Sequence, residues 1–393
     1  MTERTLKRRA AITGAAQTKL GRTPGKSAMD LNAEAAKAAV ADAGMGMHDV
    51  DGLLVFGSRA DDHMRYQALV AEHLGMPKKR FTDVTKTGGA SSASAVRTAT
   101  SLIATGQCDN VLVVFGDNIA TGIDHEAMLL KYIEHHHPEF EVPYGPLIIS
   151  LYALVARRMM EQYGWTERDL AQAAVSARAF GARNPDAQFR DPITVEDVLA
   201  SRMVTSPLHL FDCAPISDGA AAVLVSRPED AEAAGKPPVW VEGAASCFSY
   251  YFIHDLPDYT DYLLGMARQS ADEAFAMAGM QRSDVDVAFL GDPTTICVLA
   301  NLVGTGFVEP GELSALLESG GIGPDGQLPV NPHGGNLSCS HPGTPGQLLH
   351  IVEAVRQLRG ESAAHQVADP HVAFVHGQAG VFTSHCSLLL SRD

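Results

Sequence analysis

Short apolar runs alternate along this chain with longer stretches whose apolar positions recur every three to four residues, which predicts alternating strands and helices. Ala10 to Ala16 is the first run, and Leu31 to Gly44 (LNAEAAKAAVADAG) has helical spacing and stops at a glycine. Val50 to Phe56 (VDGLLVF) is the next run, followed by a polar helix around Arg65 to Leu74. The glycine turn in TKTGGASSASAVRTATSLIATG then opens a long helix that ends near Gly106. Asn110 to Phe115 (NVLVVF) is short and apolar throughout, the pattern of a strand covered on both faces. This alternation predicts an α/β fold with a mostly parallel sheet and helices packed on both sides.

The pattern then repeats. Ala41 to Asp51 (ADAGMGMHDVD) and Ala276 to Asp286 (AMAGMQRSDVD) share Ala, Ala, Gly, Met, Asp, Val and Asp in register, each before a strand. The Gly88-Gly89 turn with its helix matches the Gly334-Gly335 turn with its helix, and closing strands follow, VLVVF and HVAFVHG. Residue matches and element order at one spacing are the mark of a duplication. The chain therefore divides into a first β-α-β-α-β half, residues 1–230, and a second, residues 237–393. Residues 119–203 have no counterpart and read as an insertion of helices and loops in the first half. Its arginines, among them Arg157, Arg158, Arg168, Arg178, Arg183, Arg190 and Arg202, form either a phosphate-binding surface or solvated helix faces.

At 393 residues two domains are expected, and a charged content of 19% is ordinary for a folded chain. No apolar run is long enough for a membrane helix, and the N-terminal residues lack the apolar segment of a secretory signal. The six cysteines are scattered with no C-x-x-C pair, which argues against a zinc or disulfide framework and fits a cytoplasmic setting. The net charge of −16 argues against nucleic acid and anionic membranes as partners.

Candidate chemistry concentrates in Leu328 to Gly346 (LPVNPHGGNLSCSHPGTPG), too rich in glycine and proline for a regular helix or strand. It leads into an amphipathic helix, Gln347 to Leu358. His341 at its centre can move protons near neutral pH, and amides at a helix start can face a developing oxyanion. Cys339, two residues away, is a candidate nucleophile or buried filler. Asp292 ends a strand, where it serves a site or caps the next helix. His135-His136-His137 reads as a metal site or a solvated run, and the tyrosines Tyr250, Tyr251, Tyr259 and Tyr262 as substrate donors or loop packing.

The layout resembles the thiolase superfamily over essentially the whole chain. The resemblance rests on DCAPISDGAAAVLVS (Asp212 to Ser226), on LPVNPHGGNLSCSHPGTPG and on HGQAGVFTSHCSLLL. The sterol-carrier and lipid-transfer branch is similar also in Asn184-Pro185, in DVLAS to PLHLFD and in Glu309-Pro310-Gly311-Glu312. It implies duplicated halves in a five-layered α-β-α-β-α arrangement. It also implies an acyl-CoA substrate without a further bound cofactor, and a homodimer joined through a strand near Asn110 to Phe115. A small zinc-ribbon/OB-fold partner is implied too. The family's reactive cysteines are absent: Gly89 stands at the nucleophile's position, Gly291-Asp292-Pro293-Thr294 replaces His-Asp-Cys-Phe, and the second cysteine falls near Gly377-Gln378. Ser340-His341-Pro342 keeps the Gly-His-Pro element in altered form. Without a thiolate at Gly89 no acyl-enzyme forms there.

Retro-aldol cleavage beside a thioester needs a base and oxyanion donors but no covalent step. His341 is the expected base, and the amides of Gly88, Gly89, Ala90, Gly377 and Gln378 are the expected donors. Ser91, Ser92, Asn331, Gly334, Gly335 and Arg183 are expected to bind substrate, with insertion arginines on the phosphates of coenzyme A. Two other readings stand beside this one, a Claisen-type acyltransferase using Cys339 and a non-catalytic acyl-CoA-binding or scaffold subunit.

Overall fold

A computed structural model describes residues 5–61, 63–76, 79–133, 136–249 and 259–392. His135, Tyr250 and Tyr251 lie outside the described residues, as do the side chains of Tyr259 and Tyr262.

The first half runs β1 (Ala11–Gln17), α1 (Ala28–Asp42), β2 (Gly52–Val55), α2 (Tyr66–His73), β3 (Phe81–Val84), α3 (Ser91–Ala104) and β4 (Asn110–Asn118). The insertion supplies α4 (His125–Ile133), α5 (Ile148–Tyr163), α6 (Glu167–Arg183), α7 (Val195–Ala200) and a hairpin of β5 (Met203–Thr205) with β6 (Leu208–His209). Then β7 (Asp218–Ser226) and α8 (Pro228–Glu232) complete this half. The second half runs β8 (Val239–Phe248), α9 (Tyr259–Ala278), β9 (Val287–Leu290), α10 (Thr295–Gly304), α11 (Leu313–Glu318), α12 (Pro345–Arg359), β10 (Val372–Ala379) and β11 (Ser384–Ser391).

Strand order is β3-β2-β4-β7-β1-β8-β11-β10-β9. Each half contributes its own stretch, and the two meet where Ala11 and Ile12 of β1 pair with Trp240 and Val239 of β8. The sheet is mixed rather than mostly parallel. Parallel pairs are confined to β2 with β3, β2 with β4 and β9 with β10. The tight connection between β10 and β11 can only return antiparallel, and β1 with β7, β1 with β8, β4 with β7 and β8 with β11 are antiparallel across intervening helices.

Side-chain alternation builds the layers. In β4, Val111, Val113 and Phe115 face a central core shared with α3 and α12, while Leu112 and Val114 face α1 and α2. In the second half Val287 and Phe289 join that central core, while Ala288 and Leu290 face an outer core with α5, α9 and α10. The result is the five-layered α-β-α-β-α arrangement. Each of these larger side chains contributes about 1.5–3 kcal/mol by leaving water.

The repeated residues have repeated jobs. Asp51 accepts from the amides of Asp109 and Asn110 at the start of β4, and Asp286 accepts from those of His371 and Val372 at the start of β10. Gly14 and Gly243 let a helix lie directly on a strand. A Cβ would sit 2.0 Å from the Ala39 carbonyl oxygen at the first and 2.1 Å from that of Ala274 at the second.

Three further expectations are corrected. Gly334-Gly335 does not open α12, which starts at Pro345; instead it leads into a π-turn over Gly335–Cys339. Helix α12 does not turn the polar face of its amphipathic spacing to solvent, because Gln347, His350, Glu353 and Gln357 are buried in the central layer. Gln357 Nε2 donates to Glu353 Oε1 and the His365 carbonyl, so polarity there is absorbed internally. Finally, β4 is no edge: it pairs with β2 on one side and β7 on the other. The first half's free edge is β3.

Candidate active site

The two halves meet at one cavity of about 590 Å³. The first half brings Gly88 and Gly89, the start of the turn that feeds α3, and the second brings Gln378, Ala379 and Gly380 at the end of β10. Their backbones touch. A Cβ on Gly89 would lie 2.3 Å from the Gln378 carbonyl oxygen, and one on Gly377 would lie 2.8 Å from the Gly89 carbonyl oxygen. Gly377 and Ala90 therefore stand immediately behind the lining rather than in it. A cysteine at Gly89 does not fit this backbone.

His341 reaches the same cavity from the irregular segment before α12. Ser217, just before β7, clamps it twice: its amide donates to the His341 carbonyl and its hydroxyl accepts from the His341 amide, both at 3.2 Å. Burial, with the Arg59 guanidinium and His350 nearby, pushes the His341 imidazolium down to about 4. The ring is neutral at pH 7, the form a proton acceptor needs.

The other residues expected at the site are placed differently. Cys339 lies outside the cavity lining, with Asn184 Nδ2 3.7 Å from its sulfur, and burial pushes its thiol far up. That environment opposes a nucleophilic thiolate. Asp292 also lies outside the lining: its carboxylate accepts from the amides of Asn336 and Leu337 and faces His350 Nε2 at 3.2 Å. It anchors the π-turn, and Gly335 must be glycine because a Cβ would lie 2.0 Å from Asp292 Oδ2. Asn331 pairs through its carboxamide with the backbone of Leu290, and Gly334 packs on Gly181. Ser91 accepts from the Thr87 amide at the helix start, and Ser92 is buried off the cavity.

Arg183 pairs with Asp325 at 3.7 Å, and none of the insertion arginines named above lines the cavity. Arg178 is buried, donating to Ser338 and the Asp191 carbonyl between the rings of Phe189 and Phe211. The insertion supplies apolar wall instead: Met128, Leu129, Leu147, Ile148 and Ile149. The cations that line the cavity are Arg59 and Lys86, and among the described residues no aspartate or glutamate does. In a chain of net charge −16 this is a local inversion of sign. The described residues contain no group of His, Cys, Asp and Glu arranged to hold a metal ion.

Sequence reasoning missed several lining residues. Tyr132 sits under the Arg59 guanidinium, 4.6 Å from its ring centre, and Tyr152 OH lies 3.3 Å from Gln378 Nε2. Cys213 lines the cavity too, but burial and Asp212 push its thiol up to about 12. Gln347 lines it from the first turn of α12. Gln347 was legible only as the start of an amphipathic helix, and spacing does not say which face meets a ligand.

Residues 10–229 match the family model described as "Thiolase, N-terminal domain", and residues 247–392 match "Thiolase C-terminal domain-like". An acetyl-CoA acetyltransferase of Methanothermobacter thermautotrophicus is 33% identical over 97% of this chain and 99% of its own length. A steroid side-chain-cleaving aldolase of Thermomonospora curvata is 32% identical over 98% of both chains. Among solved structures, the Ltp2-ChsH2(DUF35) aldolase superposes with a TM-score of 0.87 at 32% identity, covering 98% of each chain. With both halves matched, the layers shared and the paired glycine turns at their junction, the chain belongs to the thiolase family.

Proposed function

We propose that this protein is an acyl-CoA enzyme that cleaves or forms a carbon–carbon bond by retro-aldol chemistry, without an acyl-cysteine. The observation that carries this reading is the junction itself. His341 and the Gly88-Gly89 and Gln378-Ala379 backbones share one cavity, while Gly89 leaves no room for a nucleophilic side chain. In the cleavage direction the neutral His341 imidazole takes the β-hydroxyl proton of a 3-hydroxyacyl thioester. The bond between the α and β carbons breaks, a carbonyl compound leaves, and the electron pair rests on the thioester oxygen as an enolate. Fixed donors stabilise that oxygen, and the imidazolium returns its proton to the α carbon. The relatives named as aldolases support the reaction class; the acetyltransferase marks the family's other chemistry.

The test is to incubate the purified chain with 3-hydroxyacyl-CoA and 3-ketoacyl-CoA thioesters, with and without free coenzyme A. Cleavage of hydroxyacyl thioesters independent of free coenzyme A is expected. Turnover of ketoacyl thioesters that requires free coenzyme A would replace the reading with thiolysis, and no turnover at all would favour a binding subunit.

For the phosphates of coenzyme A, Lys86 and Arg59 take the role first given to the insertion. Lys86→Ala is expected to weaken acyl-CoA binding about 3–10-fold in calorimetry at low salt, with the difference shrinking as salt rises. Equal affinities at low salt would remove Lys86 from the site.

The family assignment and the free edge of β3 support a homodimer joined through that strand, within a cytoplasmic protein of two halves, 1–230 and 237–393. No described helix is long and apolar enough to cross a membrane. Light scattering is expected to give twice the mass of one chain; a monomer at every concentration would count against the β3 interface. A small zinc-ribbon/OB-fold partner is a further proposal, supported by the DUF35 component in the name of the solved aldolase. Leu130, Phe140, Tyr144 and Leu154, 59–87% exposed on the insertion, give such a partner apolar surface.

A further inference from the structure

Helix α12 begins with a threonine that does not cap it. Thr344 stands at the N-cap, where a hydroxyl ordinarily accepts from an amide of the first turn. Here its own backbone is helical, with φ −55° and ψ −37°, and the side chain makes no such bond. The first turn is satisfied without it. Pro345 has no N–H, Gly346 donates to the Gly343 carbonyl at 3.0 Å, and Gln347 donates to the Thr344 carbonyl at 3.1 Å. Thr344 is 7% exposed and lines the cavity. Among the described residues its hydroxyl has no hydrogen-bond partner, yet unlike Gln347 Oε1 or Ser340 Oγ it is not sealed from solvent. The surface that a buried lining residue keeps is cavity surface, so the hydroxyl is open to a ligand there.

The His341 ring packs on the same turn, its Cδ2 3.3 Å from where a Cβ on Gly346 would be. The N-terminus of this 15-residue helix also carries the positive end of its dipole, which favours negative charge. We propose that Thr344 is a catalytic residue whose hydroxyl donates to the thioester oxygen as that oxygen becomes an enolate. The proposal rests on the acyl-CoA reading above and adds a side-chain donor to the backbone amides expected there. The two residues divide the two oxygens of the substrate. His341, once it holds the β-hydroxyl proton, is a cation beside the oxygen that leaves as a carbonyl. The electron pair of the breaking bond goes to the thioester oxygen, and Thr344 meets it. A hydroxyl whose hydrogen no protein group holds can give all of it to that oxygen. Threonine keeps its proton throughout, and the α carbon is protonated by the His341 imidazolium. Because the charge exists only once the bond starts to break, the contact is stronger in the transition state than in the bound substrate.

The test pairs Thr344→Val, which keeps the shape and removes the hydroxyl, with Thr344→Ser, which keeps the hydroxyl. On 3-hydroxyoctanoyl-CoA, Thr344→Val is expected to lower kcat about 10–100-fold with KM within about 2-fold, and Thr344→Ser to stay within about 3-fold of the parent. The acid limb of the pH profile should stay where His341 sets it, which a displaced His341 would not allow. A second measurement needs no turnover. Bound 3-oxooctanoyl-CoA ionises to an enolate with its own near-ultraviolet band, and its thioester oxygen shares the charge. At saturation and equal pH, Thr344→Val is expected to carry about 10-fold less enolate than the parent. Melting curves identify a valine variant that has lost its fold, and Thr344→Ala then takes its place. Equal rates and equal enolate bands in parent and Thr344→Val overturn the inference, as does a folded serine variant as impaired as the valine one. Both results leave the acyl-CoA reading standing. Failure of the parent to bind either thioester in calorimetry overturns the acyl-CoA reading itself.

Discussion

Replacing His341 with alanine is expected to lower the rate of carbon–carbon cleavage by about 10²–10⁴, the range for a positioned acid or base. Cys339→Ala should change it by less than about 2-fold, because that thiol is buried outside the cavity and held protonated. The comparison separates mechanisms. A Cys339 nucleophile would make both substitutions severe, and a scaffold would have no rate to lose. The pH dependence adds a second measurement on the same residue. Burial first, and the neighbouring Arg59 guanidinium and His350 ring next, bring His341 down to about 4. The base form therefore persists as pH falls through the ordinary histidine range near 6.5 and is lost only around pH 4. A profile of kcat/KM for the unbound enzyme should show its acid limb there. A limb near 6.5 would mean that His341 is solvated in the working enzyme, or that another group is the base.

Gly89→Cys is expected to destabilise the protein by about 1–3 kcal/mol without producing a thiolase, even though it puts a cysteine where the family resemblance places the nucleophile. The added Cβ would meet the Gln378 carbonyl oxygen at 2.3 Å, and that atom belongs to backbone held in the sheet rather than to a side chain that can swing away. Either β10 shifts or the turn before α3 does, and both line the cavity. Denaturant unfolding gives the first quantity. Mass spectrometry after mixing with acyl-CoA gives the second, and no acyl adduct is expected. A variant of unchanged stability that acquires a stable adduct at position 89 would show that the junction yields and that the lost cysteine alone separates this chain from acyl transfer.

The sequence carried the architecture because its constraints are local and recur. The AxAGM…DVD repeat was visible as a pattern, and the structure supplies the reason. Asp51 and Asp286 each bind two amides that begin a closing strand, so the same letters return at the same place. Strand sense was less legible. A helical spacing implies a crossover, but nothing in β7 or β11 as a string tells whether it enters the sheet from above or below. The edge at β3 was missed for a related reason: Phe81–Val84 is short and half polar, and β4 is the more apolar strand. At the site, His341 and Gly89 stood out by motif. Arg59, Tyr152 and Gln347 did not, because each owes its position to elements more than fifty residues away in the chain. Cys339 stood out by lying two residues from His341, and Asp292 by ending a strand. Their burial, with Asn184 and the π-turn as partners, is a property of packing that no spacing encodes.

The contact of Gly89 with the end of β10 also bears on when in its life the molecule becomes competent. Lining residues run from Arg59 to Ser384, so the cavity depends on contacts that span nearly the whole sequence. Contacts of such separation are gained late, since the intervening chain must already be ordered to make loop closure affordable. During synthesis the first half can collapse around α1, α2 and β4 while possessing only one wall of the eventual chamber. A helix-content signal would register that half as folded. The final hairpin, Val372–Ala379 with Ser384–Ser391, is the last part of the second wall to be made, after the segment that carries His341. Because β11 and β10 lie between β8 and β9 in the sheet, a molecule short of this hairpin lacks both its second half's sheet and its chamber, so turnover counts finished molecules alone.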